Sequence, residues 1–206
     1  MSTATLTKPK ALISTDGEIS ICIQCLASYN EGTHHFFWCD LEAIDLDNFE
    51  EEFQECIDYV IKTSPSDSAE EWFFTDHENL KPIYDEYQDI KVIKEYMEKY
   101  QEFKENDISI ELMNEYLDNY GEDLSYSDFE SSYRGAYDSN AEYAEEFCTE
   151  CGDYDPNTQS NLVIDWEATY NYAFRHDMTV LEADGESHYF LDSLISPGVK
   201  AWAIFF

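Results

Sequence analysis

The cysteines are the residues whose spacing most resembles a chemical site. Cys22–Cys25 and Cys148–Cys151 both have the CxxC spacing of zinc sites with four thiolate ligands. Residues three apart in a strand face opposite sides, however, and Cys22 and Cys25 lie in a strand-like run with no Gly or Pro between them. The sequence therefore favours reduced thiols packed as small apolar side chains, with a zinc site as the open alternative.

The histidines are the candidates for acid–base chemistry. Asp76-His77-Glu78 and Arg175-His176-Asp177 place carboxylates beside imidazoles. The chain has no phosphate-binding loop, no HExxH and no GxSxG motif. Asp153-Tyr154-Asp155 lacks the glycine and the twelfth-position glutamate of a calcium loop. We therefore expect no catalytic residues, no metal and no cofactor, and interpret these groups as solvated loop residues.

Carboxylates are the functional group present in large excess. The 206 residues include 46 Asp and Glu against 11 Lys and Arg, a formal net charge of -35. Since 43% of residues are hydrophobic and 16% aromatic, the charge should sit on a folded body. Such a body repels nucleic acid and anionic membranes, so we expect it to bind neither. Its natural partners are basic surfaces, of which a DNA-binding groove is the commonest large example.

The acidic residues recur at helix positions that the apolar faces leave outward. Helical residues three or four apart have Cβ atoms about 5–6 Å apart, and several such rows together approach the duplex density of about one charge per 1.7 Å. The alternative is a solvated face that serves solubility, but Lys and Arg are too scarce for the usual mixed-sign surface. The candidate phosphate-mimicking carboxylates are Glu50, Glu51, Glu55, Asp58, Glu95, Glu98, Glu102, Glu105, Glu111, Glu115, Asp118, Glu142, Glu145 and Glu146.

The elements that position these carboxylates are strands mixed with helices. Hydrophobic periodicity and turn residues predict strands at 19–26, 33–40, 71–75 and 133–137, with a turn at Tyr29–Gly32. They predict helices from Asp45 or Asp47 to about 62, at 90–103, at 108–120 capped by Asn106 or Asp107, after a cap at Ser125 or Ser127, at 139–150 and at 161–172. A closing hairpin joins 178–183 to 187–191 through Asp184-Gly185.

This order of elements predicts an elongated α+β fold of three small subdomains. The predicted parts are a flexible tail (1–17), an N-terminal antiparallel sheet plus helix (18–83), a central helical unit (84–132), a C-terminal α+β unit (133–192) and an apolar C-terminal extension (193–206). The first residues lack the apolar run of a signal peptide, and no run is long enough to span a membrane. We therefore expect a cytoplasmic protein.

Three segments, taken in order, resemble the ArdA antirestriction family. The run from Ile21 to Gly32 (ICIQCLASYNEG), followed by an aromatic strand, resembles the family's opening strand and YNEG turn. Residues 70–79 (EEWFFTDHEN) resemble a later strand, and 162–177 (LVIDWEATYNYAFRHD) resemble its penultimate helix. The resemblance spans about residues 19–192. The N-terminal tail, a longer central region and the 193–206 extension depart from it.

The resemblance implies an acidic homodimer that imitates a bent stretch of B-form DNA. Such a protein occupies the DNA-binding groove in the methyltransferase core of a type I restriction–modification enzyme, blocks cleavage and methylation, and so protects a mobile genetic element. By position, the implied dimer contact falls at Tyr133, Ala136 and Tyr137. The alternative function is an acidic protein that sequesters another basic DNA-binding protein, such as a histone-like factor or a regulator.

Overall fold

The N-terminal unit is built on a three-stranded antiparallel sheet. The computed structural model describes residues 6–159 and 161–192, and the chain forms two compact units, Met1–Asn114 and Glu115–Phe206. In the first, β1 (Ser20–Cys25) lies between β2 (Phe36–Asp40) and β3 (Trp72–Glu78). All six residues of β1 are buried, which follows from its central position and its apolar sequence.

A short helix, α1 (Leu26–Asn30), connects β1 to β2. The sequence predicted a turn at Tyr29–Gly32 with positive φ at both Asn30 and Gly32. Gly32 has a φ of 77°, but Asn30 is helical, so the turn prediction was wrong at Asn30. The predicted antiparallel pairing of the two strands is confirmed, with Ile21 opposite Cys39.

Helix α2 (Phe49–Lys62) packs on one face of this sheet. The ring of Phe53 lies 6.0 Å from that of Phe74 on β3, and Tyr59 lies 5.4 Å from Phe37 on β2. The side chain of Asp45 accepts a hydrogen bond from the Asp47 N–H and begins a short 3-10 turn. The N-cap of α2 itself is Asn48, so the prediction that Asp45 or Asp47 caps this helix was wrong. The apolar spacing of α2 thus predicted both the helix and its buried face.

Residues 8–17 lie within the segment predicted as a tail. Lys10–Leu12 form a 3-10 helix, and Ala11 and Leu12 are buried. Ser14 Oγ and the Gly17 N–H both donate to the carboxylate of Asp40 at the end of β2. This part of the segment is therefore packed against the sheet.

Two further helices follow β3. Helix α3 (Ile90–Glu105) begins at Asp89, whose side chain accepts from the Lys91 N–H, and buries Tyr96, Tyr100 and Phe103. Helix α4 (Ile110–Tyr120) crosses the boundary between the two units. Ser109 Oγ accepts from the Leu112 N–H at its start, so the prediction that Asn106 or Asp107 caps this helix was wrong. Asp107 instead takes a positive φ of 59° in the connection.

The C-terminal unit is a second three-stranded antiparallel sheet with helices. Its strands are β4 (Tyr133–Tyr137), β5 (Met178–Ala183) and β6 (Glu186–Leu191), in the order β4-β6-β5. The remaining helices are α5 (Tyr126–Ser132), α6 (Asn140–Glu150) and α7 (Trp166–Ala173). Positive φ angles at Asp184 and Gly185 form the predicted hairpin turn.

The helix starts of this unit test the predicted caps. Ser125 caps α5 in a capping box with Asp128, and Ser139 caps α6. Helix α7 begins at Trp166 because the Asp165 carboxylate accepts from the Ala168 N–H. The predicted helix start at Asn161 was therefore wrong.

Aromatic side chains fill the C-terminal unit on both faces of its sheet. On one face Tyr189 stacks on Tyr143 of α6 at 5.1 Å. On the other, Phe190 lies 5.4 Å from both Tyr116 of α4 and Phe129 of α5. Because successive residues of a strand face opposite sides of the sheet, each face of this sheet packs against different helices.

The predicted α+β class is confirmed by an antiparallel sheet with helices in each unit. The division into three subdomains stays a prediction. The apolar extension 193–206 and residues 1–5 lie outside the described residues. No helix in the described ranges is long and apolar enough to cross a membrane.

Candidate partner-binding surface

The exposed carboxylates are the candidate site, and almost all of them lie at the surface. Of the 46 Asp and Glu residues, all within the described ranges, Asp40 is buried, seven are half-buried and the remaining 38 are exposed. The N-terminal unit has 26 acidic and 8 basic residues, a net charge of -18, and the C-terminal unit has 20 and 3, a net charge of -17. The negative charge is therefore shared evenly between the two units.

Helix α3 carries the longest regular row of predicted carboxylates. Glu95, Glu98, Glu102 and Glu105 are all exposed, on the side of α3 opposite its buried residues. Glu95 and Glu105 are ten residues apart, about 15 Å along the helix, so the four charges are about 5 Å apart along the axis. One strand of a duplex carries a charge about every 3.4 Å. The row therefore approaches the charge spacing of a single DNA strand, although Lys94 lies 3.7 Å from Glu98.

Helix α2 carries a second group at its N-terminal end. Glu50, Glu51 and Glu55 are exposed, while Phe49, Phe53 and Val60 hold the other side of the helix in the core. Glu50 and Glu51 lie in the first turn, where negative side chains are favourable because the helix dipole is positive at its N-terminus.

Asp58, on the same helix, is partly neutralised. Its Oδ2 lies 2.5 Å from Lys62 Nζ, and Gln54 donates to its other oxygen at 3.0 Å. These two hydrogen bonds hold the pKa of Asp58 below its usual value. Asp58 is thus less available to a partner than the three glutamates before it.

The predicted carboxylates of α4 and α6 fall into two groups. Glu111, Asp118, Glu145 and Glu146 are exposed, whereas Glu115 is half-buried. Glu142 is exposed and also accepts a hydrogen bond from the Asp138 N–H at 2.7 Å, at the start of α6. Glu142 therefore helps to begin its helix as well as charging its surface.

Several acidic groups outside the predicted set are also exposed. Asp85 and Glu86 lie in the connection between β3 and α3, and Glu182, Asp184 and Glu186 lie around the β5–β6 turn. The helical three/four spacing could not find them because they are in a loop and a hairpin. For Glu182, the sequence did hold a usable pattern, because this residue alternates with the buried Leu181 and Ala183 along β5.

The strand predicted to make a dimer contact is an edge strand. Within the described residues β4 pairs only with β6. Tyr133 Oη lies 2.9 Å from His188 Nδ1, and Tyr137 packs edge-on against Tyr143 and Tyr189 of its own unit. Of the three predicted interface residues, Ala136 is exposed and the two tyrosines are half-buried.

The cysteines do not assemble a metal site among the described residues. Cys22 and Cys25 are both buried, and the β1 register places them on opposite faces, as the spacing predicted. Burial raises the pKa of Cys148, and Cys151 is exposed at the end of α6. No group of three or more His, Cys, Asp or Glu in the described ranges is arranged to hold a metal ion.

The histidines make structural hydrogen bonds. His77 Nδ1 accepts from the Leu80 N–H at 3.2 Å, and burial lowers the pKa of His77. His35 Nε2 lies 3.0 Å from the backbone oxygen of Val60. His188 is buried between Tyr133 and the backbone oxygen of Ala183. These contacts position secondary structure, and the hydroxyl that lies 3.0 Å from His35 Nε2, Thr63 Oγ1, itself donates to the Tyr59 backbone oxygen at 2.7 Å.

Comparison with known proteins gives one match. A family model described as antirestriction protein (ArdA) matches residues 21–185. The comparisons with curated proteins and with solved structures found no match.

Proposed function

Because the chain belongs to the ArdA family of antirestriction proteins, we propose that it acts as a DNA mimic. In this proposal it occupies the DNA-binding groove of a type I restriction–modification enzyme, so that the enzyme neither cleaves nor methylates DNA. The observation that carries the proposal is the exposed row Glu95–Glu105 on α3, which has one charge per about 5 Å of helix axis where one DNA strand has one per about 3.4 Å.

The mechanism requires binding and no chemical step. A groove that binds DNA presents Lys and Arg at phosphate positions, and carboxylates form charge-assisted hydrogen bonds with the same groups. The net charge of -35 also attracts a basic groove over long range and speeds the encounter. Aspartate and glutamate side chains offer no phosphodiester bond to cut and no base to methylate, so the complex is not consumed.

We further propose that the protein is a homodimer whose contact includes β4. The support is the position of β4 at the edge of its sheet, where it pairs only with β6 among the described residues. Ala136 is exposed on this strand and leaves room for close approach. Two copies would double the length of charged surface offered to a groove.

Sequestration of another basic DNA-binding protein remains the second candidate. It has the same electrostatic support, since the carboxylates do not by themselves distinguish one basic groove from another. The two candidates can be distinguished by testing which partner protein the chain inhibits when both partners are supplied at the same concentration.

The test is inhibition of a purified type I restriction enzyme by the full chain. We expect loss of cleavage at near-stoichiometric protein, and competition by added duplex DNA. The variant combining Glu95→Gln, Glu98→Gln, Glu102→Gln and Glu105→Gln should raise the half-inhibitory concentration by about tenfold or more.

The matched control removes the same charge elsewhere. Asp16→Asn, Asp67→Asn, Asp123→Asn and Asp153→Asn change four exposed loop carboxylates, and their combination should inhibit nearly as well as the unaltered chain. Full cleavage at large molar excess over several type I enzymes would overturn the proposal. Inhibition of a histone-like protein alone would favour the second candidate.

A further inference from the structure

The N-terminal sheet has one face packed on α2 and a second face with a different composition. Strand pairing places Trp38 opposite Cys22 and Phe36 opposite Gln24, on the side away from Phe37 and Phe74. A bulge in β3 brings Phe73 opposite Gln24 and Asp76 opposite Cys22 on this same side. We call the surface formed by Cys22, Gln24, Phe36, Trp38, Phe73 and Asp76 the outer face.

The outer face is covered by exposed aromatic rings. Trp38 is 37% exposed and Phe36 is 47% exposed, while Cys22 and Gln24 between the strands are buried. Phe73, which is itself buried, connects the exposed rings, because it lies 5.4 Å from Tyr29 and 6.5 Å from Tyr87. Tyr29 and Tyr87 are 48% and 62% exposed. Grouped exposed rings of this kind mark an interaction surface.

Carboxylates flank these rings. Asp76 is exposed, and its Cα lies two strand spacings, about 10 Å, from the Cα of Trp38. The backbone oxygen of Glu86 accepts from the Phe74 N–H at 2.9 Å, which holds the loop carrying Asp85, Glu86 and Tyr87 against β3. Burial, followed by the charges of Glu86 and Asp76, raises the pKa of Tyr84 in that loop.

The strands and the loop segment that build this surface contain no Lys or Arg. The strands are β1, β2 and β3, and the loop segment is Tyr84–Tyr87. These elements therefore combine exposed rings with carboxylates and supply no Lys or Arg side chain of their own.

We propose that the outer face binds arginine side chains of a basic partner protein, with guanidinium planes stacked on Trp38, Phe36 and Tyr87 and paired with the flanking carboxylates. A guanidinium is planar and weakly hydrated, so it can lie on a ring and pair with a carboxylate at once, whereas an ammonium is a strongly hydrated point charge. Rows of carboxylates attract Lys and Arg alike, so the rings supply the preference for arginine. The identification of the partner as a restriction enzyme rests on the proposed function, but the arginine preference does not.

The test uses the full chain and two labelled peptides, hexa-arginine and hexa-lysine, at one ionic strength. Fluorescence anisotropy should give tighter binding of hexa-arginine, by about two- to fivefold for each ring engaged. Trp38→Ala and Tyr87→Ala should each weaken hexa-arginine binding by about that factor and change hexa-lysine binding by less than about twofold. The matched control is Tyr172→Ala in the C-terminal unit, an exposed tyrosine outside the outer face, which should alter neither.

Three results would overturn the inference. These are equal affinity of the unaltered chain for both peptides, equal losses for both peptides in the variants, and a change in sedimentation of Trp38→Ala or Tyr87→Ala that makes the outer face a contact between copies. Tyr87 lies in a loop, so its variant keeps the test valid if Trp38→Ala unfolds. Arginine preference without restriction inhibition would overturn the proposed function alone, and inhibition without arginine preference would overturn this inference alone.

Discussion

Lys104 Nζ lies 2.6 Å from Glu42 Oε2, an ion pair that joins the last turn of α3 to the 3-10 turn following β2. Tyr100 Oη accepts from Lys104 and lies 3.2 Å from carboxylate oxygens of Glu18 and Glu42. The chain has only 11 basic residues, and this one fixes the helix that carries the row Glu95–Glu105 to the sheet. This contact adds to the buried side chains of Tyr96, Tyr100 and Phe103, which hold α3 in the core.

The Glu42 carboxylate should stabilise the fold in a pH-dependent way. Burial opposes its ionisation, but hydrogen bonds from Lys104 and the Glu18 N–H outweigh burial and hold the pKa of Glu42 below its usual value. A lowered pKa contributes stability above the unfolded-state value, and this stability is lost as pH falls through the folded value. Glu42→Gln should therefore lower the free energy of unfolding at pH 7, by an amount that shrinks below about pH 4.

Urea unfolding at several pH values measures this difference. Glu102→Gln, an exposed position on α3, is the control and should show a smaller difference at pH 7. A Glu42→Gln effect of the same size at pH 3 and pH 7 would mean that the ion pair contributes no stability.

Salt should stabilise the whole protein. With 38 exposed carboxylates and net charges of -18 and -17 on the two units, self-repulsion opposes folding, and salt screens it over about 8 Å at physiological strength. The melting temperature should therefore rise from low to moderate sodium chloride. The variant lacking the four α3 row charges should melt higher at low salt and respond less. A melting temperature independent of salt would show that the charges are compensated locally.

Gly135 should tolerate no side chain. It lies at the register shift in β4 with a φ of 113°, and a Cβ there would lie 3.3 Å from the Tyr137 ring. Gly135→Ala should cost about 1–3 kcal/mol because the backbone strain and the ring contact add. Gly121 has a similar φ of 121° with nothing within 4 Å of its Cβ, so Gly121→Ala isolates the backbone contribution. Equal losses in chemical denaturation would contradict a contribution from the ring contact.

A substitution at Ala136 should test whether β4 forms the proposed dimer contact. Ala136→Asp places a charge on the exposed edge strand and should yield monomers in sedimentation experiments. Tyr133 and Tyr137 are unsuitable because they pack within their own unit, so their replacement would disturb folding. Ala168→Asp, at another exposed alanine of the same unit, is the control and should leave the dimer intact. A dimer that persists in Ala136→Asp would place the contact elsewhere.

Local patterns predicted the helices well, because an amphipathic helix depends on residues three and four apart. The apolar spacing of α2 and α3 identified both the buried sides and the exposed glutamates. Caps were harder to predict, since Asn106, Asp107 and Ser109 can all accept from a helix N-terminus. Backbone geometry chose Ser109, with Asp107 in a left-handed conformation before it.

The sequence alone determined the charge excess, the α+β class and the rows of outward glutamates, because composition and short-range periodicity suffice for these. Whereas the Asp58–Lys62 pair is an i,i+4 contact within α2, only the tertiary structure decided that Lys104 engages Glu42, which is 62 residues away in the chain. It alone also brought Asp76 beside the rings of the outer face. Strict alternation along β3 would put Phe73 and Asp76 on opposite sides, and the bulge at that point changes the parity. Such relations depend on pairing between strands far apart in the chain, which no local pattern encodes.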